Sequence, residues 1–135
     1  MHIKFRLLVI FLLFFISCSK TSPIEEKKSI LAGSSGGQKT WQLSSLIIGG
    51  QVQSLGPSEL SYSKTYFHNS KYSDTDSYEG EWRLDSETEL LEVYNNLPNG
   101  LMFQKYTIVE VTSNSLTLSY LINGEHVTTQ FTSVK

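Results

Sequence analysis

With 11 basic and 13 acidic side chains in 135 residues, the chain has room for one domain and little else, and its net charge is -2. Taking Lys4 and Arg6 away with the leader described below leaves 9 basic against 13 acidic residues, a net -4. That balance excludes nucleic acid and anionic lipid headgroups as main partners, because both need clustered bases. The lone cysteine, Cys18, excludes an internal disulfide framework, so stability must come from a packed core.

The first predicted element is a targeting segment over residues 1–17. Lys4 and Arg6 make a short positive region, Leu7 to Ile16 carry no polar side chain, and Ser17 is the small residue before Cys18. The apolar run falls well short of the about 20 residues a membrane-spanning helix needs, which favours a cleaved leader over a transmembrane anchor. A leader followed by a free thiol is the plainer alternative. The stretch Phe15-Ile16-Ser17-Cys18 resembles the bacterial lipobox. The resemblance implies lipid on the Cys18 sulfur, cleavage before it and acylation of the new amino group. Each buried methylene then contributes about 0.8 kcal/mol to membrane attachment. It also implies a place at the cell envelope and, with Ser19 rather than an Asp after the cysteine, at the outer membrane.

Residues 18–38 read as the lipidated cysteine and a flexible tether. Ser, Lys, Thr, Glu and Gly dominate, and Gly33-Ser34-Ser35-Gly36-Gly37 has linker composition. Ser29-Ile30-Leu31-Ala32 supports one helical turn. Glu25 and Glu26 read as solvated charge, with a surface-export signal as the sharper alternative.

From residue 39 to 135 the texture changes to period-two alternation. Tyr78, Gly80, Trp82 and Leu84 share one face opposite Glu79, Glu81 and Arg83. Leu116, Leu118, Tyr120 and Ile122 do the same, as do Val127, Thr129 and Phe131. Such alternation marks half-buried strands. Asn123-Gly124 is the preferred dipeptide of a type I′ hairpin, and Gly49-Gly50 and Pro98-Asn99-Gly100 are further turns. Asp85-Ser86 and Ser113-Asn114 are softer turn signals. No segment after Lys39 has a helical pattern. The expected fold is all-β, an antiparallel meander of about eight strands closing into a small barrel, which removes exposed edges. A two-sheet sandwich is the alternative.

Several stretches carry a family likeness. Lys39-Thr40-Trp41-Gln42-Leu43-Ser44-Ser45 opens the first strand, Tyr66-Phe67 follows, and Gly80-Glu81-Trp82-Arg83-Leu84 forms a middle strand. Tyr106-Thr107-Ile108-Val109-Glu110-Val111-Thr112 then leads into Ser115-Leu116-Thr117-Leu118. Together they resemble the lipocalin-like domains of Gram-negative lipoproteins, over residues 39–135. The resemblance implies a barrel whose interior takes a small apolar ligand or whose open end meets an envelope protein. Trp41, Leu43, Phe67, Tyr78, Trp82, Tyr106, Tyr120 and Phe131 are the candidate wall residues. The competing reading is a solid core and an accessory, structural or inhibitory lipoprotein acting through its surface.

The tyrosines decide between these. Tyr62, Tyr66, Tyr72 and Tyr78 crowd the middle of the chain with Phe67 and Trp82. They fill a small core, the plainer reading, or line a mouth. Tyr62 and Tyr66 share a face with Lys64, opposite Thr65 and Phe67, which makes this pair a candidate for the outer surface. Catalytic chemistry is not expected: His68 sits in a turn and His126 on a polar face, with no nucleophile and base at usable spacing. No cofactor is implied and no zinc spacing occurs. Asp74-x-Asp76 with Glu79 and Glu81 is the densest acidic set. It reads as a polar loop, with calcium as the alternative, since the EF-hand pattern is missing.

Overall fold

The computed structural model describes residues 20–135. The leader, the lipobox and Cys18 lie outside the described residues.

Nine strands form one antiparallel sheet. They are β1 (Gln38–Ile48), β2 (Gln51–Val52), β3 (Ser63–Phe67), β4 (Lys71–Asp74), β5 (Glu79–Leu84), β6 (Glu89–Tyr94), β7 (Met102–Val111), β8 (Ser115–Ile122) and β9 (Glu125–Ser133). Neighbours run β2-β1-β3-β4-β5-β6-β7-β8-β9, and β1 also pairs with β9. That last pairing closes eight strands into a barrel and rules out the two-sheet sandwich. β2 is a short outlier, folded back on β1 through Gly49-Gly50 with Ile48 opposite Gln51.

Closure depends on β1 serving two neighbours. Its first half, Gln38 to Gln42, pairs with β3, and Trp41 to Ile48 pairs with β9. Between Leu43 and Ser45 the register with β9 shifts. A bulge bends the strand and adds one residue to the inside–outside count. The inward set therefore passes from Trp41 and Leu43 to Leu46, and Ser44 Oγ donates to the Gln130 carbonyl at 3.0 Å. A second shift, between Ile108 and Glu110, lies in the β7–β8 pair.

The turns follow the sequence signals. Asn123 and Gly124 have φ of 50 and 82°, the left-handed pair a type I′ hairpin needs. Gly80 is fixed by crowding. It faces inward opposite Tyr72 and Tyr94, and a Cβ there would lie 1.7 Å from the Val93 carbonyl oxygen. The Tyr72 and Tyr94 rings, with centroids 5.5 Å apart, close over the gap its missing side chain leaves.

Among the described residues there are two short helices, one ahead of β1 and one between β2 and β3. α1 (Pro23–Ala32) is ten residues long, against the single turn that Ser29–Ala32 suggests. Ser22 caps it by accepting from the Glu25 amide, Pro23 occupies the first turn, and Gly33 ends it. Its last residues, Leu31 and Ala32, are fully buried. The barrel holds its C-terminal carbonyls: Trp41 Nε1 donates to Leu31 O at 2.9 Å and Lys39 Nζ to Ile30 O at 3.1 Å. His68 Nδ1 lies 2.8 Å from Gly33 O. α1 thus plugs the barrel end that carries the β3–β4, β5–β6 and β7–β8 turns. The second helix, α2 (Pro57–Leu60), is one four-residue turn after Lys39, where no helical pattern is visible. It lies at the opposite end, with the β4–β5 turn and the β8–β9 hairpin.

Candidate binding site at the open barrel end

The end opposite α1 is open. A pocket of about 370 Å³ enters the barrel there. Leu43 and Leu46 of β1, Thr129 and Phe131 of β9, Tyr106 of β7 and Tyr120 of β8 form its walls. Tyr62 and Lys64 complete it from the start of β3, and Ser58, Glu59 and Asp76 stand at the rim. Tyr106 and Tyr120 meet edge to face, with centroids 5.1 Å apart, and make one continuous aromatic wall.

The predicted wall residues divide by position. Leu43, Tyr106, Tyr120 and Phe131 line the pocket. Trp41 and Trp82 are buried toward the plugged end: Trp41 bonds α1, and Trp82 donates to the Phe67 carbonyl at 2.9 Å and packs on Tyr66. Tyr78 stacks on Tyr94 at 5.0 Å, outside the pocket lining. Phe67 sits on the outer face, in a separate surface depression with Lys71 and Glu79.

The outward orientation considered for the Tyr62–Tyr66 pair is corrected. Lys64 and Tyr66 are 2 and 0% exposed, and Tyr62 packs against the core, so this face of β3 points inward and carries a lysine with it. Lys64 Nζ donates to Glu92 Oε1 at 2.8 Å, and Glu92 is itself fully buried on β6. Glu92 also accepts from the Tyr66 hydroxyl on Oε1 and the Tyr94 hydroxyl on Oε2, each at 2.5 Å. The ammonium faces the rings of Tyr106 at 4.6 Å and Phe131 at 5.5 Å, both pocket walls. Tyr72 and Tyr66 face it from the other side, at 5.6 and 5.9 Å. A second network lies above. Asp74 Oδ2 accepts from Tyr72 at 2.8 Å and Tyr62 at 3.2 Å, while Asp74 Oδ1 takes the amides of Asp76 and Tyr78.

Charge states follow from these contacts. Burial works to neutralise Lys64, but the Glu92 carboxylate, with Tyr62 and Asp74, outweighs it and holds the lysine pKa above its ordinary value. Burial, reinforced by the Glu92 charge, raises the hydroxyl pKa of Tyr66, Tyr72, Tyr94 and Tyr106. At neutral pH the pocket therefore presents an ammonium and neutral phenols, with neither a free amine nor a phenolate to act as nucleophile.

The acidic loop is accounted for locally. Both Asp74 oxygens are engaged by the turn and the tyrosines, and among the described residues no group of three His, Cys, Asp or Glu side chains could hold a metal. His68 is tied to Gly33 at the plugged end and His126 is exposed on β9, so neither meets Asp74.

Sequence reading missed Lys64 and Glu92 as a pair. The signal was present: Tyr62-Lys64-Tyr66 and Leu90-Glu92-Tyr94 each place one charge between apolar or aromatic residues on a strand face. Fold and pocket together define a small closed antiparallel barrel, plugged at one end and open at the other. No protein-family model matches the chain, and no curated protein is significantly similar to it.

Proposed function

We propose that this chain is a lipid-anchored, lipocalin-like binding protein of the bacterial cell envelope that holds a small molecule in the open end of its barrel. The pocket carries the reading. At about 370 Å³ it falls within the roughly 300–1,000 Å³ range of ligand sites, and aromatic and aliphatic walls surround a few buried polar groups, the usual composition of such sites. The lipobox resemblance around Cys18 supports attachment to the outer membrane.

The test uses the full chain, purified gently and extracted with organic solvent for mass analysis, beside a Leu46→Trp variant whose indole would fill the pocket. A compound recovered with the wild type and lost with Leu46→Trp supports the carrier. Recovery from neither, with no uptake of apolar probes, refutes it. For the anchor, Cys18→Ser should move the protein from the membrane to the soluble fraction; continued membrane association would overturn lipidation.

A second reading has its own observation. Leu60, Leu101, Phe103, Leu121 and Ile122 are exposed, and all surround the open end. An apolar collar of this kind suits contact with an envelope protein. In that reading the barrel acts through its rim, and Phe103→Asp would abolish partner capture while leaving small-molecule uptake intact.

A further inference from the structure

Resting on the small-molecule reading above, the geometry points to the class of ligand: a compact, uncharged ring compound with a hydrogen-bond acceptor, such as a carbonyl oxygen, directed at Lys64.

Three observations converge. First, size sets the scale. A pocket of about 370 Å³ lies near the lower end of the roughly 300–1,000 Å³ range of ligand sites, which suits a ring or two held inside the barrel, and anything longer would project through the open mouth.

Second, the floor holds unused donors. An ammonium has three N–H groups. Lys64 gives one to Glu92, and its other neighbours are ring faces, which attract the charge but accept weakly. Lys64 lines the pocket with 2% of its surface exposed, a narrow opening that suits one small acceptor. Because Tyr106 and Phe131 flank the ammonium and also form the pocket wall, a ligand lying against them brings its polar atom to Lys64.

Third, charge around the floor selects neutrality. The Lys64 charge is already matched by Glu92, and Asp74 is close enough to strengthen it further. A carboxylate ligand would be a third anion around one buried cation, with Asp76 and Glu59 at the rim opposing its entry. A cationic ligand would find the rim attractive but would meet Lys64 at the floor. A neutral acceptor meets neither penalty and completes the lysine's hydrogen bonds with a charge-assisted contact.

The test measures calorimetric affinities of the full chain for four matched probes: acetylnaphthalene, naphthoate, naphthylmethylammonium and naphthalene. Acetylnaphthalene should bind about tenfold or more tightly than each of the others. The control is the Lys64→Met/Glu92→Gln double variant, in which both charges leave the core together. There acetylnaphthalene should lose its advantage over naphthalene; circular dichroism confirms the fold. Preference for naphthoate or the ammonium would overturn the assignment of a neutral ligand, and so would equal binding of all four. Equal binding would nevertheless leave the small-molecule reading standing. Absence of binding by every probe would remove both. A preference that survives in the double variant would show that Lys64 is not its source.

Discussion

The buried Lys64–Glu92 pair predicts an inverted pattern of stabilities. Lys64→Met removes the ammonium and leaves a carboxylate in the core, still served by the Tyr66 and Tyr94 hydroxyls. Breaking a buried pair from one side costs about 3–5 kcal/mol. Because two donors remain, the loss should sit near the low end, about 3 kcal/mol. Glu92→Gln keeps one acceptor oxygen for a tyrosine hydroxyl, turns the other contact around so that the amide NH2 donates, and leaves the Lys64 charge without its direct partner among four rings, a loss of similar size. The double variant removes both charges while the amide still pairs with the tyrosines, and it should lie within about 1–2 kcal/mol of wild type. The double variant is thus more stable than either single one. Urea unfolding followed by tryptophan fluorescence reads this directly: with a slope of about 1.5–2 kcal/mol/M, each single substitution lowers the midpoint by roughly 1.5–2 M. Equal slopes among the variants would confirm that the native state is preserved. Additive losses would refute the reasoning, and so would a Lys64→Met loss below about 1 kcal/mol. The latter would mean that the lysine swings through the mouth into water rather than resting on Glu92.

Other predictions address separate parts of the molecule. Gly80→Ala places a methyl against the Val93 carbonyl and should cost more than about 3 kcal/mol or prevent folding, as thermal unfolding will show; wild-type stability would sink the crowding argument. Leu31→Ala should cost about 2–5 kcal/mol in the same assay, because α1 is part of the core; a loss under about 0.5 kcal/mol would show the helix is detachable. The buried tyrosines predict alkaline lability. Their folded pKa values lie above the unfolded value near 10, so they bind more protons folded than unfolded. Their stabilising contribution is full below pH 10 and declines as pH rises beyond it. Tyr66, Tyr72, Tyr94 and Tyr106 together give a decline of about 5 kcal/mol per pH unit there. Tyrosinate absorbance should therefore appear abruptly on unfolding; a smooth titration near pH 10 from a folded chain would contradict the burial.

Much of the barrel was legible in the sequence because each strand reports its own two faces. Gly80-Glu81-Trp82-Arg83-Leu84 and Leu116-Thr117-Leu118 declare inside and outside without knowledge of their neighbours, and Asn123-Gly124 declares its turn. Closure was less direct. It rests on the Ser44–Ser45 bulge, where a local phase shift looks like a weak strand until both partners of β1 are known. Only the last turn of α1 was read from the sequence, because only its last two residues are buried and its apolar signal is slight; Ser22-Pro23-Ile24-Glu25 was nevertheless a start signal of the capping-box type. The pocket floor was hardest. A lysine in an alternating strand reads as solvated unless its acid is identified, and Glu92 lies 28 residues further on, three strands away around the barrel.

The double pairing of β1 also sets how the molecule bears load. Tension applied ahead of the described residues would enter at the N-terminal side of α1, beside the plugged end. It must first draw Leu31 and Ala32 out of their seat. It then meets β1, whose ladder to β3 over Gln38–Gln42 and ladder to β9 over Trp41–Ile48 resist in turn, overlapping at Trp41 and Gln42. The mouth lies beyond that seam, so force applied at the N-terminal side is spent before it reaches the pocket. In a pulling experiment, release of α1 should precede rupture of the barrel, with the cup keeping its shape in between.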